Sequence, residues 1–186
     1  DGQPQVSVNA IPAVGKWIRR AGEDVARGAV VLARGQRLHP AALGLAASVG
    51  MAQLDAVRRP RVALFSTGDE LVMPGQKSPQ DMPPGAIYNS NRFFLVALLR
   101  RLGCDVTDMG IVPDQRAATE DALQRAAQSH DVILTSGGVS VGEEDHIKPA
   151  VQALGTLDLW QIAIKPGKPF AHGRIGKAHF LGLPGN

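Results

Sequence analysis

The hydrophobic rhythm of the chain changes near residue 60. Before that point, short alternating stretches such as VSVNA (6–10) and GAVVLA (28–33) sit between glycines and charged residues. Alternation of this kind predicts β-strands separated by turns, so residues 1–35 read as the end of a β-rich domain. The charged segment between them, IRRAGEDVARG, reads as a turn-rich surface connection. Residues 36–59 read as a helical linker region. In PAALGLAASVG, Pro40 suits a first helical turn and Gly50 the position just past the end. QLDAV (53–57) then reads as a short strand, and Arg58-Arg59-Pro60 as the boundary of the next domain.

From Arg61 the pattern becomes repeated strand–helix units. RVALFS, CDVTDMGIV and DVILTS are apolar runs of strand length. SNRFFLVALLRRLG predicts a helix capped by Ser90 or Asn91, with Phe94, Leu95, Leu98 and Leu102 as its apolar stripe. Asp114 stands before QRAATEDALQRAAQSH, a second helix, and could serve as its N-cap. HIKPAVQALG predicts a third, with Pro149 tolerated in the first turn. LDLWQIAI, KPFAHGRI and AHFLGL end the chain as strands. Three βα units with a β-rich end predict an α/β domain over residues 60–186. Its sheet should be doubly wound, mostly parallel, with an antiparallel edge.

Composition narrows the function. Aromatics make up 4% of the chain, too few for the stacking platforms that bind single-stranded nucleic acid. The formal net charge of +3 lacks any long basic run, so small anions suit it better than nucleic acid. The single Cys104 excludes an internal disulfide and a cysteine zinc cluster, which points to a reducing cytoplasm. No apolar run reaches the length of a membrane-spanning helix and no signal peptide is visible. The chain starts without Met and stops at Pro-Gly-Asn, which reads as a piece of a longer protein.

Candidate chemistry gathers at strand exits, where open α/β sheets bind ligands. After DVIL comes TSGGVSVGEEDH. Ser136, Gly137, Gly138, Val139 and Ser140 form a glycine-rich turn whose N–H groups, with the next helix's dipole, can cradle a phosphate. The acids Glu143, Glu144 and Asp145 follow at once, as expected where a divalent cation meets a phosphate. After RVALF, Thr67 and Gly68 lead to Asp69 and Glu70, candidate ligands of a hydrated Mg²⁺. The segment Tyr88-Asn89-Ser90-Asn91 suits polar contacts to a heterocycle or phosphate. In KPGKPF, Lys165 and Lys168 on a stiffened loop suit a cationic wall. His39, His130 and His172 show no spacing relation and read as structural. GxGxxG and GxxxxGK[ST] are both absent, which removes the standard dinucleotide and P-loop readings.

Taken together, STGDEL, the G-x-IYNSN segment, SGGVSVGEEDH with Lys148, KPGKPF and GLPGN resemble the MoeA/gephyrin-E family of molybdopterin molybdenumtransferases. The resemblance runs over nearly the whole chain. It implies a molybdopterin-binding fold for residues 60–186 and a homodimer for the full-length protein. The implied reaction inserts molybdate into adenylated molybdopterin, releases AMP and uses Mg²⁺. A molybdopterin adenylyltransferase is then the implied partner, and the isolated piece is expected to be inactive. By resemblance Glu70, Asp114 and Asp145 are the functional acids and Lys165 is the functional lysine; Asp69, Glu70 and Asp145 are the expected metal ligands. Gln161 departs from the pattern, because the family often has lysine there. The alternatives are an adenylyltransferase or competence-damage-inducible protein of the same fold, whose GGxGPTxxD-like loop this chain lacks, or a non-catalytic scaffold.

Overall fold

The structure is a computed structural model describing residues 2, 4–139, 146–164 and 169–185, with the side chain of Trp160 outside that set. The chain divides into two compact units, Asp1–Ala56 and Val57–Asn186. In the first unit the only regular element among the described residues is helix α1, Pro40–Ser48. The His39 side chain caps it, Nδ1 accepting from Ala42 N at 3.3 Å. The expected strands at 6–10, 28–33 and 53–57 do not form; those residues lie in turns and irregular chain. The physical reason is visible in their exposure. Val6, Val8 and Val30 face solvent, and without a partner strand an alternating pattern has no ladder to join.

The second unit follows the strand–helix pattern. Its main sheet holds β1 (Arg61–Thr67), β4 (Asp105–Val112), β5 (Val132–Ser136), β6 (Gly155–Gln161), β7 (Pro169–Ile175) and β8 (Ala178–Leu183). A separate two-stranded ladder joins β2 (Leu71–Val72) to β3 (Ile87–Tyr88). Helices α2 (Ser90–Arg101), α3 (Arg116–Ser129) and α4 (Ile147–Leu154) connect the strands. The sheet order is β4-β1-β5-β8-β7-β6. The first four strands run parallel, and β7 and β6 complete an antiparallel edge.

Alternate residues of each central strand serve opposite faces. Val62 and Leu64 of β1 and Leu134 of β5 pack with Leu95 of α2. Ala63, Phe65 and Ile133 pack with Ala122 and Leu123 of α3 and Val151 of α4. The sheet is therefore covered by helices on both sides, which is why β1 and β5 read as unbroken apolar runs. The expected stripe of α2 is corrected by its packing. Leu95, Val96 and Leu99 meet the core, while Phe93, Phe94 and Leu102 stay more than half exposed.

At the amino ends of the parallel strands, Asp131 ties the sheet together. It accepts two hydrogen bonds from Arg58 at 2.5 Å each and one from the Arg61 backbone N–H at 2.8 Å. The Arg58 bonds, then the Arg61 N–H, hold its carboxyl well below the usual carboxylate range. This anchor lies at the end of the sheet away from the candidate site.

Candidate functional site

The chain leaves β1 toward β4 on one side and returns past it to β5 on the other. The order in which strands are added thus reverses between the parallel strands β1 and β5, and ligands of open α/β sheets bind at the carboxyl edge of such a point. Register places Ser66 beside Ser136 and Ser136 beside Leu183, so three strand exits meet there. The loops after β1 and β5 are therefore at one end of the sheet, in direct contact.

Gly137 shows how close that contact is. Its φ is +94°, and a Cβ there would stand 2.3 Å from the carbonyl oxygen of Thr67. Its N–H donates to Leu183 O at 3.0 Å. At Gly138 a Cβ would meet Ile147 Cγ1 at 2.5 Å and Thr67 Cγ2 at 2.7 Å. Only glycines let the β5 exit lie flat on the β1 exit. Val139 behaves differently from the expectation for this loop. Its side chain is 1% exposed within the core cluster, so only its backbone can face a ligand.

On the α2 side, a polar set joins the same exits. Asn91 Nδ2 donates to Gly185 O at 2.7 Å and to Ser136 Oγ at 3.3 Å. Asn89, rather than Ser90 or Asn91, caps α2, its Oδ1 accepting from Arg92 N at 3.3 Å. The ladder of β2 and β3 frames the approach: Ile87 N–H donates to Glu70 O and Asn89 N–H to Val72 O. An open cleft results, lined by Thr67, Glu70, Tyr88, Asn89, Ser90 and Ser136, with Leu71 and Ile87 as apolar walls. Thr67 and Asn89 are both nearly fully buried, yet Thr67 Oγ1 and Asn89 Nδ2 have no hydrogen-bond partner among the described residues.

Acids stand beside this cleft. Asp69 and Glu70 are exposed at the β1 exit, and the Glu70 carboxylate folds back over Gly68. Asp114 does not cap α3, because Gln115 occupies that position, so its carboxylate is left to the crevice. Burial raises the Asp114 carboxyl above its ordinary range; Asp69 and Glu70 push the same way, and His146 and the Thr67 hydroxyl oppose them. The Thr67 hydroxyl is the smallest of these influences and makes no hydrogen bond of good geometry. None of Asp69, Glu70 or Asp114 forms an ion pair with a described lysine or arginine. His146, at the start of α4, joins this group although its role was not read from the sequence. The available signal was its place as the last residue of SGGVSVGEEDH, at a helix start facing another strand exit.

Residues 63–186 match the family described as a probable molybdopterin binding domain, and residues 2–50 match the MoeA N-terminal region, domains I and II. The chain belongs to the molybdopterin-binding domain family. A molybdopterin molybdenumtransferase of Haemophilus influenzae is 45% identical over 181 residues, covering 97% of this chain and 44% of the relative. Molybdopterin molybdenumtransferase 2 of Mycobacterium tuberculosis is 39% identical over 191 residues, covering 100% and 46%. Among solved structures, a molybdopterin biosynthesis MoeA protein of Pyrococcus horikoshii superposes with a TM-score of 0.75 at 32% identity, covering 88% of this chain and 40% of that one. The chain thus spans less than half the length of these relatives.

Within this family fold, Thr67, Gly68, Asp69, Glu70, Asn89, Ser90, Asn91, Asp114, Ser136, Gly137 and Gly138 lie at or beside one carboxyl edge. Ser140, Asp145, Lys165 and Lys168 fall outside the described residues. Gln161 ends β6 and is exposed. Among the described residues no three His, Cys, Asp or Glu side chains form a ready metal cage. No described helix is long and apolar enough to cross a membrane.

Proposed function

We propose that the chain belongs to an enzyme of molybdenum cofactor biosynthesis that inserts molybdate into adenylated molybdopterin with release of AMP. The observation that carries this reading is the facing set Asp69, Glu70 and Asp114 beside the glycine turn. Mutual repulsion among them is already felt by Asp114. Such a set is costly unless a cation or a proton comes to it. Gly138, Val139 and Ser140 would hold phosphate through backbone N–H groups, the Gly137 N–H being committed to Leu183 O, with Ser136, Thr67 and Gly68 alongside and Lys165 and Lys168 neutralising charge. Molybdate is the second substrate.

The donor chemistry fits Mg²⁺, which prefers carboxylate oxygens and usually keeps waters while taking one or two carboxylates plus substrate phosphate. A closed three-ligand cage is not required for that mode. Asp69, Glu70 and Asp145 would hold the ion. When bound, it would supply charge neutralisation at the phosphate oxygens. Glu70 and Asp114 orient around that charge, and Asp114 is the carboxyl best placed to hold a proton.

The substrate arrives adenylated, so a molybdopterin adenylyltransferase is its supplier. A reducing cytoplasm fits the lone Cys104. Glu70→Gln, in a chain of the relatives' length, is expected to reduce AMP release by about 100-fold at limiting Mg²⁺ while leaving thermal unfolding within about 1 °C. Unimpaired turnover at limiting Mg²⁺ would remove Glu70 from the metal site.

A homodimer is also part of this proposal. It is supported by the apolar face that α2 leaves exposed, where Phe94, Leu98 and Leu102, four residues apart, are 63%, 38% and 62% accessible. A contiguous apolar face of this kind suits a self-complementary contact. Sedimentation of a Phe94→Glu variant should shift toward monomer; a variant that associates like the wild type would count against this face.

A further inference from the structure

We infer that Asn89 selects a neutral nitrogen heterocycle in the cleft, leaving the phosphate to the neighbouring glycine turn. This rests on the reading of the crevice as a ligand site given above, and it divides that site into two chemically distinct halves.

The sense of the Asn89 amide is settled by its neighbours. The Arg92 backbone N–H can only donate, and it points to Asn89 Oδ1 at 3.3 Å. The Ser66 hydroxyl approaches the same oxygen at 3.4 Å. Oδ1 is therefore committed to capping α2, and Nδ2 is the opposite edge of the amide. That NH₂ group is buried in a residue only 2% exposed and has no partner among the described residues. A buried donor left unpaired is unfavourable, and sites built this way reject ligands that cannot supply the missing acceptor.

The surroundings decide which acceptor. The other polar lining groups are neutral hydroxyls and amides, and the one charged lining side chain among the described residues is Glu70. A negative group placed there would meet a carboxylate and no described cation. A ring nitrogen or ring carbonyl accepts a hydrogen bond without bringing charge. Leu71, Ile87 and Tyr88 supply apolar surface for the flat faces of a ring. Two sources of such a ring exist in the proposed substrate, its pterin and its adenine.

The test uses calorimetry on the 186-residue chain with three probes: 6-hydroxymethylpterin, adenosine, and inorganic pyrophosphate with Mg²⁺. Asn89→Asp keeps an oxygen to cap α2 but has no amide donor. Asn89→Ser keeps a neutral cap. Both keep a cap for α2, but Asn89→Asp puts a carboxylate at a buried position and is expected to unfold at a lower temperature, so the neutral Asn89→Ser, which still folds, is the variant on which binding is judged. Both should weaken binding of the preferred heterocycle by about 10-fold or more, as loss of one buried hydrogen bond requires. Asn89→Ser should keep pyrophosphate affinity within about twofold, since that probe needs the glycine turn and the cation rather than the amide. Whichever of pterin and adenosine shows the Asn89 dependence identifies the ring. Wild-type affinity for both rings in the two variants would overturn the inference. So would a wild-type chain that binds pyrophosphate and neither ring, which would leave the proposed function standing. Ring binding without any pyrophosphate binding would instead support the inference and count against the phosphate half of that function.

Discussion

Gly137→Ala is expected to lose about 3–5 kcal/mol of folding stability, with anion binding lost in whatever fraction still folds. Two penalties add at this position. An L-residue at φ +94° is strained, and its Cβ would lie 2.3 Å from a backbone oxygen of Thr67 that cannot rotate away. The loop after β5 must then lift off the loop after β1, which separates the groups that form the crevice. Gly85→Ala is the matched control. Gly85 has a similar φ of +79° but nothing within 4 Å of its would-be Cβ. It should cost only about 1 kcal/mol. Thermal unfolding of both variants measures the difference. Equal, small losses would show that the two strand exits are not pressed together as described.

Asp114→Asn is expected to raise the unfolding temperature at neutral pH by about 1–4 °C while lowering turnover by about 100-fold. The Asp114 carboxyl is raised in the folded protein above its ordinary value of 3.8, by burial and by Asp69 and Glu70 against the opposing pull of His146. Below that value both folded and unfolded chains carry the proton and the site has no cost. As pH rises through it, the unfolded chain ionises first, so stability falls until the folded carboxyl has ionised too. The amide, which does not ionise, escapes this loss. The temperature gain of the variant should therefore shrink toward zero as pH is lowered to about 4. Mg²⁺ should stabilise the wild type more than the variant, because bound cation offsets the same repulsion. A variant less stable than wild type at pH 7 would show that Asp114 is held by favourable partners and not by strain. A stabilised but fully active variant would remove it from the chemistry.

Much of the α/β unit was legible because burial on both faces leaves a simple mark. RVALF and DVIL are apolar at every position, and the structure places them as the central strands β1 and β5. The glycines of SGG were legible as a turn, and the structure adds what no spacing reveals, namely that they bear on Thr67. Local patterns failed where a tertiary partner decides the outcome. VSVNA and GAVVLA alternate correctly, but nothing among the described residues of their unit pairs with them. The α2 stripe was misplaced because Phe94 is as apolar as Val96, and only the position of the sheet distinguishes them. Asp114 was legible as a functional acid through the resemblance, while its chemistry also made it a candidate cap for α3. Gln115 holds that place, and the carboxylate is released toward the acids whose field it feels. Asn89 was legible as a polar contact, but its committed oxygen and spare nitrogen depend on the Arg92 N–H.

The last described strand, β8, sits in the middle of its sheet. β8 enters between β5 and β7, and Gly185 just beyond it accepts from Asn91, 94 residues earlier. A ribosome adding about 5–20 residues per second completes β1, β4 and β5 seconds before β8 exists. During that interval β5 carries a bare backbone edge, the condition in which strands pair with the wrong chain. The crevice cannot be finished locally as it emerges. Its polar clasp closes only when residues 178–185 have emerged, so competence to bind and completion of the sheet are a single event.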